Sequence, residues 1–169
     1  MRGITEHRPL GLADMRTVCA LTGVIAAGWA VSGSTPTFLR VTPQEVHWVQ
    51  IPQAHGAQMA VLFGDPDKPG PYVIRVRFPP HVMDRPHRHP HARYVTVLQG
   101  TWYAGTGETF DVRAAVPMPA GSFMVHPAQA AHWDGSATDE AVIVQISGDG
   151  PGDTSLVDPT QPMWLEARR

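Results

Sequence analysis

Pro86-His87-Arg88-His89-Pro90-His91-Ala92-Arg93-Tyr94-Val95-Thr96-Val97-Leu98-Gln99-Gly100 is the stretch on which the fold reading rests. Three of the nine histidines stand here at alternate positions, ahead of an apolar run closed by a glycine. Residues two apart on an extended backbone share a face, so His87 and His89 can point at one ion. Imidazole is the commonest metal ligand near neutral pH. Pro90 bends the chain behind that pair, so His91 becomes a donor only if the loop folds inward. Arg88 and Arg93 are interleaved with these histidines, and the same residues also read as a solvated basic loop.

Working outward, composition narrows the class. A chain of 169 residues with 43% hydrophobic and 17% charged residues is an ordinary globular length, with enough apolar matter for a core. Its 17 prolines and 16 glycines favour many short strands and turns over long helices. A formal charge of −2, with no basic patch interleaved with aromatics, argues against nucleic acid as partner. The single Cys19 excludes an internal disulfide framework and a cysteine-based zinc site.

Residues 1–32 differ from the rest. Arg2, His7, Arg8 and Arg16 precede an apolar run from Val18 to Val31, followed by Ser32, Gly33 and Ser34. Basic, apolar and small segments in that order form a signal-peptide pattern, with cleavage after Ala30-Val31-Ser32. The run is too short for a stable membrane span. This predicts a periplasmic or secreted protein with a mature domain over 33–169; a packed N-terminal helix in a cytoplasmic protein is the alternative.

From Phe38 onward the chain reads as β structure. Tyr72-Val73-Ile74-Arg75-Val76-Arg77-Phe78 alternates apolar and polar positions, as a half-buried strand does. Val46–Val49, Gln58–Phe63, Tyr94–Leu98, Thr101–Tyr103, Ser122–His126 and Ala141–Ile146 are further candidates. Ala104-Gly105-Thr106-Gly107-Glu108 predicts a hairpin turn between two of them. No helical periodicity stands out, so the prediction is an all-β sandwich or barrel.

A second stretch, Pro119-Ala120-Gly121-Ser122-Phe123-Met124-Val125-His126-Pro127-Ala128-Gln129-Ala130-Ala131-His132-Trp133, lies about thirty residues on. Together the two resemble the paired sequence motifs of the cupin superfamily. His87 and His89 match the first motif's His-x-His pair and Gly100 its closing glycine, although Gly70 precedes the pair at an unusual distance. Gly121, Pro127 and His132 fall at the spacing of the second. Gly64-Asp65-Pro66, Lys68-Pro69-Gly70-Pro71 and Gly148-Asp149-Gly150-Pro151 also resemble small single-domain bacterial cupins, many of them exported and without an assigned reaction. The likeness covers about Trp48 to Pro159. It implies an antiparallel jelly-roll β-barrel with a metal ion held inside, near one mouth.

Two positions depart from the pattern. The family's glutamate ligand falls at Arg93, and a guanidinium cannot ligate a cation. The glycine after Pro127 falls at Gln129. The resemblance therefore implies three metal ligands, His87, His89 and His132, with His91 as a conditional fourth. A neutral three-histidine face resembles that of cupin dioxygenases which cleave β-diketones or oxidise thiols. It suits iron(II) or zinc(II), with nickel, manganese or copper as further candidates. Arg93 would either oppose metal binding or clamp a substrate carboxylate beside the metal. In the second case it needs a buried counter-charge, and Asp84 and Glu108 are the nearest candidates, neither obviously within reach.

His126 reads as a core or surface histidine rather than a ligand. Trp102, Tyr103, Phe123, Met124 and Trp133 read as pocket lining or core. Two function classes follow. One is an oxygen-dependent dioxygenase acting on a small organic acid or diketone. The other is a non-catalytic sensor or carrier that binds a metal or a small, anionic ligand. A homodimer is compatible with either.

Overall fold

The computed structural model describes residues 38–169, so the signal-like segment lies outside the described residues. Among those residues the only helical turn is Pro43–Glu45, and no helix is long and apolar enough to cross a membrane. The strands are β1 (Val49–Gln50), β2 (Gln58–Phe63), β3 (Gly70–Phe78), β4 (Val82–Asp84), β5 (His87–Arg88), β6 (Arg93–Gln99) and β7 (Thr101–Thr106). They continue with β8 (Val116–Pro119), β9 (Phe123–His126), β10 (His132–Gly135), β11 (Val142–Gly150), β12 (Ser155–Leu156) and β13 (Trp164–Glu166).

One sheet runs β1-β2-β3-β11-β6-β9; the other runs β12-β5-β10-β4-β13, with β7 pairing β10 and β8. The ladders are antiparallel, as the sequence predicts. Alternation along β3 becomes burial: Tyr72, Ile74, Val76 and Phe78 face the core, while Arg75 and Arg77 point outward. Arg75 then bonds Gln145 on β11, and Arg77 bonds Gln58 on β2. Val95, Val97, Val142, Val144 and Trp102 complete the core, each worth about 1.5–3 kcal/mol when fully buried. Gly100 turns β6 into β7 at φ +74°, and a Cβ there would lie 2.5 Å from the Ala141 carbonyl oxygen. That close approach is why glycine closes the first motif.

The hairpin expected at Ala104–Glu108 is instead a continuing strand. β7 runs on to Thr106, pairing Ala104 with Asp134 and Gly105 with Trp133 of β10. The small residues are there for packing, since a Cβ on Gly105 would sit 2.1 Å from the Trp133 ring. The strand expected at Val46–Val49 begins only at Val49, after the Pro43–Glu45 turn.

Candidate metal centre

Two strands of one sheet present the first pair of histidines. His87 on β5 and His132 on β10 are direct cross-strand partners, and His89 follows His87 two residues on, toward the same side. All three are buried. Ring centroids are 4.7 Å apart for His87–His89, 4.3 Å for His87–His132 and 5.1 Å for His89–His132. One ring nitrogen from each lies within 4.8 Å of the others, so the group could hold a metal ion.

Each ring is oriented from behind by the backbone. Nδ1 of His87 donates to the Arg85 carbonyl at 2.8 Å, that of His89 to Asp153 at 2.9 Å, and that of His132 to Ala130 at 3.0 Å. A carbonyl only accepts, so Nδ1 carries the proton and Nε2 presents a lone pair inward. The His87 and His89 Nε2 atoms are 3.0 Å apart, and His132 Nε2 is buried with no partner. Backbone-oriented imidazoles with freed Nε2 atoms are what a cation site needs from its protein.

Protonation is suppressed at all three. Burial is the main cause, holding the His89 pKa down at about 3 and His132 at about 4, with the nearby Arg93 charge adding to the effect. His87 is also held well below its ordinary value by burial and by its two neighbouring imidazoles. Neutral rings at physiological pH are competent ligands.

Arg93 opens β6 and turns inward, half-buried, beside this group. Its Nη2 donates to the Gly152 carbonyl at 2.6 Å, while Nε is buried without a partner. Burial lowers its pKa, and Tyr72, Asp134 and Asp84 counter that. Asp84, at the end of β4, thus faces the same cavity, and its Oδ1 lies 3.8 Å from His87 Nδ1. Glu108 does not take part, because it pairs with Arg88.

The second carboxylate, Asp134, goes unnoticed in the sequence reading although it sits two residues beyond His132 and so on the same face of β10. The Trp102 indole donates to its Oδ1 at 2.9 Å, and its own backbone N–H donates to Asp84 Oδ1 at 2.6 Å. Burial pushes the Asp134 pKa up to about 7 and that of Asp84 well above its ordinary value.

His91 stands outside the group: the chain bends at Pro90–His91 and the side chain is exposed. His126 does the opposite. It ends β9 directly across from Arg93, is buried, and its ring centroid is 3.7 Å from that of His132. At Gln129 the corner keeps a glycine-like form, with φ +62°, its N–H donating to the His89 carbonyl and its own carbonyl accepting from Arg88. Trp102 lines the cavity, whereas Phe123 is exposed and Trp133 packs on Phe110.

These side chains line a cavity of about 210 Å³ whose apolar walls include Met59, Ile74, Phe78 and Trp164. The connection from β11 to β12 crosses one side of it, tied down by Gly152 N–H donating to the Pro66 carbonyl at 2.6 Å.

Two antiparallel sheets closing over a buried histidine cluster define a cupin. The chain belongs to the ChrR cupin-like domain family, which matches residues 37–149. A search among curated proteins returns no match. Among solved structures, a cupin-2 domain from Rhodospirillum rubrum is similar at TM-score 0.56, with 17% identity, over 75% of this chain and 85% of that one. The polyketide cyclase RemF from Streptomyces resistomycificus is similar at TM-score 0.60 and 16% identity, over 72% of this chain and 87% of that one. The DMSP lyase DddQ from Ruegeria pomeroyi DSS-3 is similar at TM-score 0.55 and 16% identity, over 73% and 62% of the two chains. At such identities the likeness is one of fold.

Proposed function

We propose that this cupin holds a divalent metal ion, iron(II) or zinc(II), on His87, His89 and His132, and uses it to transform a small anionic organic molecule. The observation that carries the reading is the set of inward Nε2 atoms left without protein donors beside a cavity. A bound cation supplies Lewis acidity there and, if it is iron(II), access to dioxygen chemistry. The unpartnered Arg93 Nε is a charged donor for a substrate carboxylate, and Arg93 is thereby the substrate clamp. Asp84 and Asp134 line the same cavity as the guanidinium and favour its charged form. A small organic acid or a diketone is the substrate class, and oxygen-dependent cleavage or oxidation the reaction class. Solved cupins of the same fold named as a cyclase and as lyases are in keeping with small-molecule chemistry.

The test is elemental analysis of protein purified without a histidine tag, then oxygen uptake by iron(II)-loaded protein offered carboxylic acids and β-diketones. Bound iron with substrate-dependent oxygen uptake is the expected result. Bound zinc with no turnover would favour the carrier or sensor function, and no bound cation would remove the metal-dependent reaction.

A further inference from the structure

His126, which no motif assigns to a metal, belongs to a second cluster in the same cavity. His126, His132 and Asp134 each offer one ligand atom, all within 4.8 Å of one another, and all three are buried. His126 Nε2 has no hydrogen-bond partner, and an orphaned buried nitrogen is costly unless something binds it. Trp102 braces both new members: its indole stacks on the His126 ring at 5.7 Å and its Nε1–H holds Asp134 Oδ1 at 2.9 Å. A hydrogen bond from behind is how proteins orient a ligating carboxylate.

We propose that His126, His132 and Asp134 form a second cation seat, sharing His132 with the three-histidine seat and competing with it for a single ion. This rests on the metal-binding reading of the same cavity. His132 Nδ1 is committed to the Ala130 carbonyl, so its one free nitrogen serves one ion at a time. The two seats differ in chemistry. His87, His89 and His132 offer three neutral imidazoles, whereas the second seat offers two imidazoles and a carboxylate. Imidazole-only sites suit zinc, while a carboxylate favours harder cations such as manganese(II) or iron(II). Once ionised on a bound cation, Asp134 also offsets Arg93, whose positive charge otherwise opposes any cation in this cavity. Register explains the placement. The family's glutamate position is Arg93, and the residue facing it on β9 is His126, while the carboxylate of the second seat comes from Asp134 on β10.

The experiment titrates the full-length, metal-free protein with manganese(II), followed by electron paramagnetic resonance, and with zinc(II), followed by calorimetry. D134N keeps an oxygen for Trp102 and removes the charge. It should weaken manganese binding by about 10–100-fold and zinc binding by less than about 3-fold. H87A should do the reverse. H126N gives the same readout as D134N and carries the test if D134N melts before titration. Equal losses of both cations in D134N and H126N, or no change in manganese affinity, would overturn the second seat while leaving the first intact. A parent protein that binds neither cation would instead remove the metal-binding reading itself, and the second seat with it.

Discussion

His87 and His89 face each other with Nε2 atoms 3.0 Å apart, although each ring already donates its Nδ1–H to a backbone carbonyl. No hydrogen bond can form between two such nitrogens, and two lone pairs are left opposed in a buried site. Protonating one ring would relieve them, but burial and the Arg93 charge hold the His89 pKa at about 3. A cation relieves them without that difficulty. Zinc or iron(II) at a hundredfold excess over its Kd should therefore stabilise the protein by about 2.7 kcal/mol. For a domain of this size that is a rise in Tm on the order of 10 °C. Thermal melts with and without chelator measure it, and H87A should lose most of the increment. An identical Tm in chelator and in zinc would show that nothing occupies the site.

Arg93 provides the second prediction, because it occupies the position where related motifs carry a ligating glutamate. Arg93→Glu removes a positive charge beside the cation and adds a carboxylate in the same place. Divalent-cation affinity should rise at least about 10-fold, which corresponds to about 1.4 kcal/mol. Affinity for small carboxylates should vanish with the guanidinium. Calorimetry with zinc and with a dicarboxylate reads both changes. A variant with unaltered affinity for both would mean that Arg93 serves only to hold the Gly152 carbonyl.

Much of this site was legible in the sequence, and the rest was hidden for identifiable physical reasons. Alternation in Tyr72–Phe78 reported a half-buried strand because only one face of β3 is covered. His87 and His89 were visible through a period of two, and His132 through motif spacing. Strand β10 was missed because His132-Trp133-Asp134-Gly135 is buried on both faces and so shows no alternation. Asp134 was lost with it, and with Asp134 the second carboxyl group of the cavity that Arg93 lines. β8 escaped because Pro117 and Pro119 suit only an edge strand. His126 could not be assigned because its importance comes from a cross-strand register, opposite Arg93, which no local pattern encodes.

Gly105 yields a third prediction. Its hydrogen is all that fits against Trp133, since a Cβ would lie 2.1 Å from two ring carbons. Gly105→Ala forces the indole or β7 to move, at a cost of about 1–3 kcal/mol or more. Trp133 lies between His132 and Asp134 on β10, so the displacement should also weaken cation binding. Urea unfolding gives the first quantity and zinc titration the second. Full stability in the variant would show that Trp133 packs elsewhere than against this strand.

Acid–base behaviour of the metal-free protein gives the last prediction, with two opposed groups of side chains. Burial lowers the pKa of His87, His89, His126 and His132, to about 3 for His89, about 2 for His126 and about 4 for His132. Below pH 6.5 the unfolded chain takes up protons at these four positions and the native protein does not, so they make stability fall as pH falls from 6.5 toward 4. Asp84 and Asp134 act in the other direction. Burial raises both, Asp134 to about 7, so the native protein retains their protons after the unfolded chain has lost them above pH 3.8. Their contribution is complete at low pH and is lost as pH rises through their native pKa values, about 7 for Asp134. Between pH 4.5 and 6 four histidines act against two carboxyls, and stability rises with pH. Above 6.5 the histidines no longer contribute, the carboxyls still do, and stability declines. Urea unfolding of metal-free protein from pH 4.5 to 8 should therefore peak near pH 6 to 6.5. A steady rise through pH 8 would mean that Asp84 and Asp134 are already ionised in the native protein. Zinc should abolish the decline on the alkaline side, because a cation in this cavity favours their charged forms.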